Sequence, residues 1–74
     1  MAIAENIRAL REDRDFTQTE IAEQLGIKQT VYSRYEREQN ELPLHHLIKL
    51  CTFYNVSADY ILGLPKGLDY PERL

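Results

Sequence analysis

Apolar residues recur at helical spacing in five stretches of the chain, and no stretch alternates as a strand would. Ile3, Ile7 and Leu10 fall at i, i+4 and i+7 with Arg8 and Glu12 on the far side, which predicts a first helix over residues 2–14. Thr17-Gln18-Thr19-Glu20 then has Thr where a cap belongs and Glu three residues on, so each side chain can satisfy a free backbone N–H. Phe16 and Ile21 flank this box as a hydrophobic staple. A second helix follows from Gln18 to Leu25 with Ile21, Ala22 and Leu25 inward, and Gly26 stands where a left-handed residue must end it.

After Ile27 and Lys28, a third helix is predicted from Gln29 to Arg37, with Tyr32 and Tyr35 inward and Gln29, Thr30, Ser33, Arg34 and Arg37 outward. Two helices joined by so short a glycine turn must cross steeply. Pro43 suits the first turn of a fourth helix, in which Leu44, Leu47, Ile48, Cys51 and Tyr54 form the inward stripe and Asn55 the stop. Ser57 caps a fifth helix holding Ala58, Tyr60, Ile61 and Leu62, Asp59 complements its dipole, and Gly63 closes it. The expectation is an all-α domain of five helices over residues 1–63. Residues 64–74 form an irregular tail, since two prolines and a glycine forbid a helix there. Its three leucines and a tyrosine predict a segment either loose or laid on the domain or on a second copy.

At 74 residues the chain has room for one domain, near the low end of what one core can stabilise. No apolar run approaches the roughly 20 residues that cross a bilayer, and the start lacks the layout of a signal peptide. A single cysteine, Cys51, cannot form an internal disulfide, so a reducing cytoplasm is the expected compartment. The net charge of −3 taken alone argues against a partner rich in phosphate. Its distribution changes that picture. From Lys28 to Arg37 three basic residues stand against one acid, whereas from Glu38 to Leu74 three stand against five.

Candidate chemistry is sparse. His45 and His46 are adjacent, point about 100° apart on a helix and cannot chelate one ion unaided, so they are expected as exposed residues of the fourth helix. Cys51 reads as a small buried hydrophobe. Glu5, Glu12 and Asp13 line the outer face of the first helix, where Arg8 is expected to pair with Glu5. With no paired carboxylates, phosphate loop or nucleophile constellation, the sequence predicts no enzyme, no metal, no cofactor and no small-molecule ligand.

Gln18-x3-Ala22-x3-Gly26-x2-Gln29 and Tyr35-Glu36-Arg37 resemble the lambda-repressor-like, Cro/Xre-type helix-turn-helix regulators of phages and bacteria. The likeness runs over residues 3–63 and includes Arg8-Ala9-Leu10-Arg11, Glu41-Leu42-Pro43-Leu44 and Val56-Ser57-Ala58-Asp59-Tyr60. It implies that the third helix enters a DNA major groove, where Gln can bond adenine and Arg guanine. Gln29, Thr30 and Arg34 are then base contacts, Val31 can touch a thymine methyl, and Ser33 is a neighbour. Gln18, at a helix N-terminus with free N–H groups, would meet a phosphate, and Lys28, Arg37 and Asn40 would meet others. The resemblance also implies a partly buried ion pair between Arg11 and Glu36. A repressor acting as a homodimer on a pseudo-palindromic operator is expected, with Tyr60, Ile61, Leu64 and the tail in the dimer contact. A protein-interaction module of antitoxin or adaptor type that keeps the fold is the alternative, favoured by the acidic total.

Four positions depart from the family pattern. Asp15 and Glu38 stand where Gly is usual, Lys28 offers no acceptor as a helix cap, and Tyr32 brings a hydroxyl to an aliphatic core position that then requires a partner or an exit to water. The loop Gln39-Asn40-Glu41 carries no cation, so its grip on a DNA backbone is expected to be small.

Overall fold

Thr17 Oγ1 accepts the backbone N–H of Glu20 at 3.1 Å, and Glu20 Oε1 accepts that of Thr17 at 2.9 Å. That reciprocal cap starts the second of five helices in the computed structural model, which describes residues 2–67. The helices are α1 (Ala2–Asp13), α2 (Gln18–Leu25), α3 (Gln29–Glu36), α4 (Leu44–Tyr54) and α5 (Ala58–Leu62), with no strand among the described residues. Phe16 and Ile21 both face the core, and the Phe16 ring also lies 5.1 Å from that of Phe53 in α4. Gly26 ends α2 in the left-handed region at φ 70°, and the Ile27 N–H returns to the Ala22 carbonyl at 3.0 Å. Asp15 and Glu38 also hold positive φ, at 59° and 58°. They thus take the backbone shape for which glycine is usual. The segment beyond Gly67 lies outside the described residues, and with it the expected packing of most of the tail.

Ile7, Leu10, Ile21, Ala22, Leu25, Tyr32, Tyr35, Leu47, Leu50, Tyr54 and Ile61 form one buried cluster to which every helix contributes. Asn6 fastens its two ends. Its Nδ2 donates to the carbonyls of Tyr60 and Ile61 at 3.0 and 3.1 Å, satisfying acceptors that the short α5 would leave free. Gly63 follows at φ 72°, and a Cβ there would stand 2.8 Å from that of Ala2, so α1 and α5 approach too closely for a larger residue.

The orientation of α4 corrects the sequence reading. His46, Leu47, Leu50 and Tyr54 face inward and Cys51 is half-buried, whereas Leu44 and Ile48 are 71% and 58% exposed. Pro43 is the cap rather than the first helical residue. Apolar residues occur all round this helix, so periodicity alone cannot choose its buried face. Contact with Tyr35 accompanies the observed choice: its hydroxyl lies 3.3 Å from His46 Nδ1, and His46 is 7% exposed rather than on the surface. His45 stacks beside it with ring centroids 4.1 Å apart. On α1, Arg8 pairs with Glu12 at 3.5 Å and not with Glu5, and both side chains are more than half exposed. Such a pair contributes little.

Burial, with the neighbouring His45 and Lys49 cations, pushes the His46 pKa below its ordinary 6.5. The unfolded chain therefore binds the proton more tightly than the folded one. Stability from this group is complete above pH 6.5 and is lost as the pH falls below it. Urea midpoints should fall between pH 7.5 and 5.5, and His46→Phe should flatten that fall. An equal decline in both proteins would remove His46 as the cause.

Candidate nucleic-acid interface

The face that α2 and α3 present is set by a buried ion pair beneath it. Arg11 Nε donates to Glu36 Oε2 at 2.7 Å and Arg11 Nη2 to Glu36 Oε1 at 3.0 Å, a two-pronged bond, while Arg11 Nη1 donates to the Phe16 carbonyl at 3.0 Å. The side chains of Arg11 and Glu36 are only 14% and 3% exposed. Burial raises the Glu36 pKa, but bonds from Arg11 and Gln18 and the nearby Tyr32 hydroxyl outweigh it, so the carboxyl stays below its ordinary 4.5. The bond to Glu36 in turn holds the Arg11 pKa above its ordinary value. The expected pair is present, and it locks α3 onto α1.

Tyr32 lies beside it, fully buried, with its ring edge-on to Tyr35. The expected partner or water exit for its hydroxyl is absent among the described residues: the group is buried and outside hydrogen-bond geometry with Glu36. Burial and the carboxylate together hold this phenol neutral far above the usual range.

From this anchor the polar chain continues outward. Gln18 Nε2 donates to Glu36 Oε1 at 3.1 Å, and Gln29 Nε2 donates to Gln18 Oε1 at 2.6 Å. The first residues of α2 and α3 are thus tied to each other and to the ion pair. Sequence reasoning placed Gln18 only as a phosphate contact, because nothing local marks a bond to a residue eighteen positions away.

Gln29, Thr30 and Arg34 are exposed along α3, with Lys28 exposed as its N-cap and Arg37, one residue past the helix rather than its last, exposed as the C-cap. Lys28 makes no side-chain cap bond, as its chemistry requires. Val31 and Ser33 are half-buried, Val31 against the core, so they offer less surface than the others. Asn40 is exposed in the following loop, its N–H bonded to the Arg34 carbonyl at 3.3 Å. At the opposite end of the chain, Tyr60 and Leu64 are 52% and 44% exposed. Ile61 is fully buried in its own core and has no surface to offer a second copy, which corrects its expected place in a dimer contact. Alternation within α5 explains the error: one turn of helix sends adjacent residues to different faces.

The helix-turn-helix family pattern matches residues 7–61, from α1 through α5. The chain belongs to the helix-turn-helix family. Among helix-turn-helix relatives, the HTH-type transcriptional regulator YobD of Bacillus subtilis strain 168 is 42% identical over 65 residues, covering 88% of this chain and 58% of that protein. ImmR, another HTH-type transcriptional regulator of that strain, is 38% identical over 85% of this chain and 50% of its own length. The antitoxin PezA of Streptococcus pneumoniae is 36% identical over 90% of this chain and 42% of that protein. The chain thus spans about half the length of the curated relatives it matches. A crystal structure of a transcriptional regulator from Listeria innocua superposes with a TM-score of 0.82 at 23% identity, covering 93% of this chain and 64% of that one. At that identity the likeness is one of fold, and the fold is the lambda-repressor-like arrangement of five helices.

Proposed function

We propose that this chain is the DNA-reading module of a sequence-specific transcriptional regulator, a cytoplasmic repressor that binds a pseudo-palindromic operator as a homodimer. The observation that carries the reading is the sorting of charge on α3. Lys28, Arg34 and Arg37 face solvent, while Glu36, the one acid between residues 28 and 37, is withdrawn into its bond with Arg11. A chain of net charge −3 thereby presents a local cationic strip, and a strip of that kind is what phosphates attract.

In this reading Gln29, Thr30 and Arg34 meet base edges in the major groove, with Val31 and Ser33 at the margin of the contact. Gln18, Lys28, Arg37 and Asn40 meet phosphates and set the register. Doubling the few base contacts of one module requires a second copy, and Tyr60 with Leu64 forms the exposed apolar patch proposed for a twofold contact. The transcriptional regulators YobD and ImmR support the assignment.

Enrichment of bound duplexes from a random pool, followed by gel shifts on the winners, tests it. A defined sequence preference is expected, and affinity should fall with salt on a log–log slope of about −3.6 if about four phosphates are neutralised per module. Absence of any sequence preference at low salt would exclude the DNA-reader assignment. It would favour a protein-binding role, the second reading, for which the likeness to the antitoxin PezA is the specific observation.

A further inference from the structure

We propose that Glu36 sets the orientation of the Gln29 carboxamide, acting through Gln18, and thereby makes the base position read by Gln29 prefer adenine to guanine. The proposal rests on Gln29 being a base contact. Glu36 itself is a positioning residue, 3% exposed and out of reach of any DNA.

An ionised carboxylate can only accept hydrogen bonds. Glu36 Oε2 takes Arg11 Nε, and Oε1 takes Arg11 Nη2 and, at 3.1 Å, the amide of Gln18. Only the NH2 end of a carboxamide can occupy that place, so the Gln18 oxygen must point the other way, toward Gln29. Gln29 meets it at 2.6 Å and must likewise offer its NH2 end. One N–H of Gln29 is thereby used. What remains for DNA is one donor beside one acceptor.

That pair complements adenine, whose major-groove edge shows an acceptor at N7 and a donor at N6. Guanine shows two acceptors, N7 and O6, and asks for two donors. Were Gln18 free to turn over, it would present its own NH2 to Gln29, whose oxygen would then face inward and leave both N–H groups outward for guanine. The charge on Glu36 removes that choice. Polarity fixed in the interior is passed through two amides to the surface.

The test compares affinities for operators carrying adenine or guanine at the position read by Gln29, with thermal melts to verify the fold of each protein. Gln18→Lys still donates to Glu36 but cannot accept from Gln29, so the adenine-to-guanine ratio should fall by about 10-fold whatever happens to affinity as a whole. Glu36→Gln should lower the ratio similarly. Because that variant removes the ion pair and can unfold the domain, a second readout uses the wild type without DNA. Its 15N side-chain amide signals from Gln29 should move as Glu36 is protonated below pH 4.5, and Gln18→Leu should abolish that movement. An unchanged ratio in Gln18→Lys, or a Gln29 amide indifferent to the ionisation of Glu36, overturns the proposal. Failure of the underlying reading has a different signature: Gln29→Ala would leave the base preference intact, while the amide titration would still follow Glu36.

Discussion

Glu36→Ala is expected to lower the stability of the domain by about 3 kcal/mol or more, since it strands a guanidinium that is only 14% exposed. Arg11 would keep a single bond, to the Phe16 carbonyl, for a charge that now has three. Domains of this length are stable by on the order of 4–11 kcal/mol, so one substitution would remove about a quarter or more of the total. The pH dependence has a definite sign. With the carboxyl held below its ordinary 4.5, the stability it contributes is complete above that pH and is lost as the pH falls through the folded value. Urea unfolding at pH 7 measures the first effect, and the same titration repeated toward pH 3 measures the second. Arg8→Gln at the exposed pair with Glu12 provides the contrast and should cost less than about 0.5 kcal/mol. A loss below about 1 kcal/mol for Glu36→Ala would mean that water reaches the pair.

The second large effect is expected at the DNA surface. Gln29→Ala and Arg34→Ala should each weaken binding to the selected operator by about 1–3 kcal/mol per module, hence by about 2–6 kcal/mol for a twofold complex. The loss should be confined to the preferred base: operators already changed at the cognate position should be bound almost equally by variant and wild type. Titrations followed by fluorescence anisotropy on single-base operator variants measure this. If either substitution weakened all sequences alike, that side chain would be a phosphate contact instead. Neither residue is buried, so thermal midpoints should barely move and binding can be separated from folding.

Much of this arrangement was legible because its causes are local. The box at Thr17 and Glu20, the left-handed stops at Gly26, Asn55 and Gly63 and the cap at Ser57 act within a few residues, and the boundaries of α2 and α5 followed directly. The ion pair of Arg11 with Glu36 spans 25 positions and was legible only through family resemblance. Where neither aid applied, the reading failed. In α4 several faces are apolar, and which of them is buried depends on neighbours far along the chain, Tyr35 opposite His46 among them. The bond from Gln18 to Glu36 was missed for a similar reason, since a carboxamide at a helix start is compatible with solvent, phosphate or a buried acceptor. Ile61 was placed at a surface because a helix of five residues shows too little period to assign a face.

The clasp of Asn6 on the end of α5 has a consequence for synthesis. α3 is complete at Glu36, yet α1 closes against α5 through bonds spanning 54 and 55 positions. A growing chain that has released α3 still lacks Tyr54 and Ile61, and Ile7 has an unfinished core around it. At the usual ~5–20 residues per second, the interval from Glu36 to Leu62 lasts about 1–5 s. During that interval the nascent chain displays the exposed side chains of α3 on a scaffold that is not yet closed.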